Sequence, residues 1–129
     1  MDDIRERSPD AEIILQGIEF DLPWREIQIS PKTALTRGLK YRGLSEPTED
    51  FIIGFLRSEP KRFNAIREWA GDELQDALYE SPILIIKNDD GWYLVDGWHR
   101  TALAWAEGLG KITALVIDGT GYGRDDFDG

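Results

Sequence analysis

Between residues 81 and 117 short apolar runs alternate with turn residues, and this alternation restricts the fold more than any other feature of the chain. Three runs rich in β-branched and aromatic residues are typical of strands: 83–86 (ILII), 92–95 (WYLV) and 112–117 (ITALVI). The stretch Asn88-Asp89-Asp90-Gly91 predicts a hairpin turn between the first two. An alanine-rich segment, 98–107, ends at glycines and predicts a helix before the last strand.

The first two thirds of the chain have weaker patterns. Apolar and β-branched residues predict two short strands, at 12–20 and 25–30. Residues 31–45 contain two glycines, which favours a loop or a broken helix. Between 46 and 79 apolar residues recur at helical spacing, and prolines and a glycine divide the segment into short helices. The sequence therefore predicts an α+β domain with a small mixed sheet, a C-terminal hairpin–helix–strand unit and a helical insertion in the middle.

The length of 129 residues favours a single compact domain. We expect it to span 12–118, between a flexible, charged lead at 1–11 and a flexible, acidic, glycine-rich tail at 119–129. The first residues lack the apolar core of a secretory signal, and no apolar run approaches the roughly 20 residues of a membrane span. These features predict a cytoplasmic protein that does not contact a membrane.

Charge and cysteine content exclude several kinds of chemistry. The chain contains no cysteine, so disulfides, thiolate catalysis and cysteine-ligated metals are excluded. Its net charge is −10, and because nucleic-acid binding relies on Lys and Arg, this charge argues against direct contact with DNA or RNA. The acidic surface serves solubility, or it forms a partner surface that resembles DNA.

The junction between the second strand and the helix carries the residues best suited to chemistry. The first N–H groups of a helix have no intrahelical partners and lie at the positive end of its dipole, so they bind anions. Gly97 allows a ligand to approach the backbone closely. Arg100 offers a planar fork for phosphate oxygens, and Thr101 a hydroxyl. His99, the only histidine, can donate to an anion or transfer a proton.

Each of these residues also has a structural alternative. Asp96 can cap the helix, orient a neighbour, act in catalysis or hold a metal ion. His99 can be a buried structural group, Trp98 a core aromatic, and Arg100 the partner of a carboxylate. Four cations in the glycine-containing segment are candidates for a second phosphate contact or a lid, or are solvated charges: Lys32, Arg37, Lys40 and Arg42.

Residues 81–117, somewhat over a quarter of the chain, resemble the ParB/sulfiredoxin superfamily. The shared pattern is a Pro-Ile strand, a hairpin, a strand ending in glycine, a Gly-x-x-Arg turn, an alanine-rich helix, a glycine and a final strand. The motif Asp96-Gly97-Trp98-His99-Arg100 differs only at Trp98 from the Asp-Gly-His-His-Arg of the superfamily's free-serine kinases. Sulfiredoxins have a catalytic cysteine at the position of Trp98, and partition proteins have Gly-Glu-Arg-Arg.

The resemblance implies that this turn binds the phosphates of a nucleotide through Gly97, Trp98, His99, Arg100 and Thr101. It implies a nucleoside di- or triphosphate with Mg²⁺ as cofactor, Asp96 and His99 as catalytic groups, Asp96 as a metal ligand, and a base stacked on Trp98. Sulfinic acid reduction is excluded because the chain lacks cysteine.

Two functional hypotheses follow from the sequence. In the first, the protein binds a nucleotide or a phosphorylated small molecule and catalyses phosphoryl transfer or phosphohydrolysis. In the second, it is a non-enzymatic module that binds a protein partner and keeps the fold without catalysis.

Overall fold

The structure, a computed structural model, describes residues 23–43 and 49–119. The predicted strand at 12–20, the predicted lead at 1–11 and all but the first residue of the predicted tail lie outside these ranges. The described elements follow in the order β1 (Trp24–Ile29), α1 (Pro31–Tyr41), α2 (Glu49–Ser58), α3 (Pro60–Ala70), α4 (Leu74–Glu80), β2 (Ile83–Asn88), β3 (Gly91–Asp96), α5 (Trp98–Ala106) and β4 (Ile112–Asp118). They confirm the predicted α+β class, the helical segment in the middle and the hairpin–helix–strand unit that follows it.

The described strands form one mixed sheet in the order β1-β4-β2-β3. The hairpin partners β2 and β3 are antiparallel, whereas β4 lies parallel to β2 and antiparallel to β1. Helix α5 therefore carries the chain from the edge strand β3 across β2 to β4. The last residue of β3, Asp96, is paired with Leu84 near the start of β2. The junction between β3 and α5 thus lies beside the point where the chain enters β2.

The hydrophobic core lies between the sheet and the helices. The central strands β2 and β4 are buried along almost their whole length, as expected for continuous apolar runs. Ile83, Ile85 and Ala114 pack in one cluster with Leu103 of α5 and Phe63 of α3. None of the helices within residues 23–43 and 49–119 is long and apolar enough to cross a bilayer.

The predicted hairpin turn is present, and Asn88 forms it. Its side-chain oxygen accepts hydrogen bonds from the backbone N–H groups of Asp90 at 2.9 Å and Gly91 at 3.2 Å. Its side-chain nitrogen donates to the hydroxyl of Tyr41 at 2.9 Å, so the buried amide is satisfied. Tyr41 also stacks on Tyr93, with ring centroids 4.9 Å apart. These contacts anchor the end of α1 to the hairpin.

The prediction of a loop or broken helix at 31–45 was wrong, because Pro31–Tyr41 is a continuous helix. Ser30 caps it by accepting a hydrogen bond from the backbone N–H of Thr33 at 3.1 Å, and Pro31 occupies the first turn. Gly38 is buried in mid-helix since the Trp98 indole packs on it, and a Cβ there would lie 2.9 Å from Cη2 of that ring. A tertiary contact therefore explains a glycine that the local pattern associates with a break.

This packing predicts opposite effects for two mid-helix glycines. Gly38→Ala should lower the free energy of unfolding by about 1–2 kcal/mol, because the new methyl group crowds Trp98 and Leu94. The cost of this crowding exceeds the gain in helix propensity. Gly54→Ala in α2 is the matched control, since no atom lies within 4 Å of its Cβ position. It should raise stability by up to about 1 kcal/mol. Urea denaturation of both variants checks this, and equal stabilisation by the two would contradict the packing.

Candidate functional site

The junction between β3 and α5 depends on the backbone conformation of Gly97. Its φ of +108° lies in the region that favours glycine. A Cβ at this position would overlap Cγ2 of Ile83, so a side chain would also collide with the start of β2. Gly97 thus allows the first turn of α5 to lie directly against β2.

The N-terminus of α5 has no side-chain cap among the described residues. The first intrahelical bond is donated by the N–H of Thr101 to the carbonyl of Gly97 at 2.8 Å. The N–H groups of the three preceding residues lie at the positive end of the helix dipole, where an anion can accept from them. Asp96 does not serve as the cap that one sequence interpretation assigned to it.

Asp96 instead holds Arg100. Nη2 of Arg100 donates to Oδ2 of Asp96 at 2.6 Å, and Nη1 donates to the backbone carbonyl of Ser81 at 2.7 Å. The Arg100 side chain is 18% exposed and that of Asp96 is 39% exposed. A guanidinium has five N–H donors, so these two bonds fix the plane of the fork and leave donors for a ligand.

His99 forms a contact that the sequence patterns did not single out. Its Nε2 lies 2.6 Å from Oε2 of Glu59, which comes 40 residues earlier, between α2 and α3. The imidazole also packs against Phe55 and Phe63, with ring centroids 5.0 and 5.3 Å away. Glu59 holds one ring nitrogen, and the other remains for a ligand or a proton. The Glu59–His99 contact ties the connection between α2 and α3 to the start of α5.

Trp98 and Thr101 have structural roles. The indole Nε1 of Trp98 donates to the carbonyl of Leu94 at 3.0 Å, and the guanidinium carbon of Arg42 lies 5.1 Å from the ring centroid. Thr101 is fully buried, and its hydroxyl donates to the carbonyl of Gly97 at 2.6 Å. The hydroxyl therefore stabilises the first turn of α5 and does not face the solvent.

A cavity of about 400 Å³ opens at the junction. One wall is a single face of α3, and the other is the junction together with the entry to β2. The lining residues are Arg62, Ala65, Ile66 and Trp69 on the first wall, and Ser81, Asp96, Gly97, Trp98, His99 and Arg100 on the second. The structure thus brings five of the six predicted junction residues to one cavity, and Thr101 lies behind them.

The four cations predicted as a second basic contact lie elsewhere. Lys32, Arg37, Lys40 and Arg42 are exposed on or just after α1, and none belongs to the lining of this cavity. Arg37 lies over the Trp92 ring at 4.4 Å, and Arg42 reaches the junction only through Trp98. Arg62 of α3 supplies the additional cation in the lining. The sequence contains one indication of this position: Arg62 comes seven residues before Trp69, so both lie on one helical face.

A second, larger cavity of about 570 Å³ is unsuited to anions. Its lining includes four carboxylates, Asp72, Glu73, Asp76 and Glu107, against one cation, Arg67. A side-chain hydrogen bond with Asp76 and the negative charge of Asp76 raise the pKa of Glu73. This rise reflects the crowding of like charges, which would repel a phosphate.

The residues at the junction do not fit a Mg²⁺ ion held by the protein. No group of three or more His, Cys, Asp or Glu side chains suited to a metal exists in the described part of the chain. Among the described residues, Asp96 supplies the only carboxylate that lines the junction cavity, and it is bonded to Arg100. Mg²⁺ usually needs carboxylates together with substrate phosphates. The expected role of Asp96 as a metal ligand therefore has no support from other protein ligands.

Comparisons of the chain with protein-family models, with curated proteins and with solved structures gave no significant match.

The junction glycine yields a prediction about stability. Gly97→Ala should cost about 3 kcal/mol or more, because the backbone conformation is strained for alanine and the methyl overlaps Ile83. Gly108→Ala isolates the conformational part, since its φ is +77° but no atom lies within 4 Å of the Cβ position. That control should cost only about 1–2 kcal/mol. Urea midpoints of the two variants test this, and similar losses would argue against close packing at the junction.

The Glu59–His99 contact predicts a measurable coupling energy. A double-mutant cycle with Glu59→Ala and His99→Ala should give about 1–2 kcal/mol, because the His99 side chain is only 17% exposed and the bond is short. The pair Arg67–Glu107 is the control, with both side chains 48% exposed and the charges 3.5 Å apart. Its cycle should give about 0.5 kcal/mol or less. Equal coupling in both cycles would refute a specific tie at His99.

Proposed function

We propose that the N-terminus of α5 binds the phosphate group of a nucleotide or of a phosphorylated small molecule. The observation that carries this proposal is that the uncapped helix N-terminus opens into a cavity that Arg62, His99 and Arg100 also line. Helix N–H groups and a fixed guanidinium fork are the donors that phosphate oxygens accept from most readily. A cavity of this size suits a small ligand.

The donors at the site support an anion despite the net charge of −10. The described lining of the cavity carries two permanent cations, Arg62 and Arg100, and the carboxylate of Asp96, and Glu59 lies 3.7 Å from Arg62. These charges nearly cancel, so the positive end of the α5 dipole and the free N–H donors favour the anion. At physiological ionic strength exposed charges farther away than about 8 Å are largely screened. The donors that touch the ligand therefore decide its binding, and the acidic remainder of the surface contributes little.

The proposed activity is phosphoryl transfer to a small molecule, or phosphohydrolysis. Such reactions need positioning and charge neutralisation more than covalent chemistry. Arg62, Arg100 and the helix N–H groups would hold phosphate oxygens. His99, oriented by Glu59, would accept the proton of the attacking hydroxyl or water, and Asp96 would keep Arg100 in place. The resemblance to the ParB/sulfiredoxin superfamily belongs to this proposal, as does a Mg²⁺ ion that arrives with the nucleotide.

The second candidate is a non-enzymatic module that binds a protein partner. The observation that favours it is that every large side chain of the junction already has a partner within the protein: Trp98 with Leu94, His99 with Glu59, and Arg100 with Asp96 and Ser81. In both cases the proposed location is the cytoplasm, with which the lack of cysteine is compatible. The net charge of −10 argues against direct contact with nucleic acid.

The binding proposal is tested by calorimetry and thermal melting with ATP, ADP, CTP, GTP and tripolyphosphate, each with and without Mg²⁺. At 100 times its dissociation constant a ligand should stabilise the fold by about 2.7 kcal/mol. Arg62→Ala should weaken binding about fivefold to tenfold, because it removes one charge-assisted hydrogen bond from an exposed side chain, which in the free protein lies 3.7 Å from Glu59.

Lys61→Ala is the matched control, because it removes the same charge from the adjacent residue of α3, which is exposed and is not part of the cavity lining. It should leave affinity almost unchanged. Arg100→Lys keeps the charge and loses the fork, so it should weaken binding, and the melting temperature of the free variant measures what the bonds to Asp96 and Ser81 contribute to stability. If wild-type protein binds none of these anions, the phosphate site is refuted. Binding without turnover of any nucleotide would favour the non-enzymatic module.

A further inference from the structure

The aromatic side chain best placed to contact a ligand in the junction cavity is Trp69. Trp98, the residue expected from the sequence to stack on a base, is committed to the protein by its hydrogen bond to Leu94, its packing on Gly38 and the guanidinium of Arg42. Trp69 lines the same cavity from α3, and its side chain is 52% exposed. Within the described residues its indole makes no hydrogen bond and no ring contact. Trp69 therefore offers an accessible aromatic face in the cavity wall, on which a planar ligand group can stack.

The order of groups along α3 matches the order of groups in a nucleotide. Arg62, Ala65, Ile66 and Trp69 follow the spacing of one helical face. Glu59, just before α3, contacts His99, so the start of α3 lies against the start of α5. Arg62 therefore lies near the phosphate end of the cavity. Trp69 lies two turns farther along, about 10 Å at 1.5 Å per residue. The small side chain of Ala65 leaves space between the two.

We infer that Trp69 is the stacking platform for the aromatic base of the ligand, so that the preferred ligand is a nucleotide rather than inorganic phosphate or a sugar phosphate. This inference rests on the proposed phosphate site and names its ligand class. Base–aromatic stacking is tolerant of base identity, because every base has a π face. Trp69 thus supplies affinity for nucleotides as a class, and the groups at the start of α5 hold the phosphates.

The test compares ligands with and without a base on variants with and without the indole. ATP, GTP and CTP are measured against tripolyphosphate and ribose 5-phosphate by calorimetry, with wild type, Trp69→Ala and Trp69→Phe. Wild type should bind the nucleotides at least about tenfold more tightly than tripolyphosphate. Trp69→Ala should remove that difference and leave tripolyphosphate binding unchanged, and Trp69→Phe should keep most of it.

Tyr79→Ala is the control, because Tyr79 is also 52% exposed but is not part of the cavity lining. Tyr79→Ala should change neither the affinity for nucleotides nor the affinity for tripolyphosphate. The melting temperature of each variant without ligand checks that it is folded. If wild type binds tripolyphosphate and nucleotides equally and Trp69→Ala binds both as wild type does, stacking is refuted and the phosphate site stands. If Trp69→Ala loses tripolyphosphate as well, Trp69 is structural and the inference fails. If wild type binds neither kind of ligand, both proposals fail.

Discussion

The close approach of Gly97 to Ile83 determines how the rest of the junction is arranged. Because this glycine has a positive φ and no Cβ, α5 begins directly against the start of β2. The same approach brings Arg100 within 2.7 Å of the carbonyl of Ser81. The backbone turn at Gly97 therefore places three features side by side: the edge of the sheet, the uncapped start of α5 and the fixed guanidinium of Arg100. A side chain at Gly97 would push them apart.

A second set of contacts positions α3 against this turn. The start of α3 faces the start of α5 because His99 contacts Glu59 and two aromatic rings, and not because the order of the elements along the chain requires it. Phe63, which touches His99, also belongs to the hydrophobic core. The cavity wall is thus held by the same packing that stabilises the domain. The packing of the His99 imidazole and the rings beside it therefore contributes both to the geometry of the cavity and to the stability of the domain.

Much of the fold was predictable from local patterns, and much of the site was not. The runs that form β2, β3 and β4 and the turn at Asn88 are encoded in consecutive residues, so periodicity and turn chemistry were sufficient. Helix α1 was not predictable, because its buried Gly38 makes sense only beside Trp98. The packing of α3 on α5 brings Glu59, Arg62 and Trp69 to the site. This packing depends on contacts between distant parts of the chain and not on any local motif.

The distribution of charge bears on the size of the ligand. Carboxylates crowd the larger cavity, whereas the described lining of the junction cavity includes one, which is bonded to Arg100. A small phosphate inside the junction cavity meets mainly donors. A polyanion such as a nucleic acid must extend beyond it over a surface that belongs to a chain of net charge −10. If the cavity binds a phosphate as proposed, each added phosphate outside it would meet an acidic surface, and affinity would not grow with length as it does for basic nucleic-acid-binding proteins. The proposed site therefore favours a mononucleotide over its polymer.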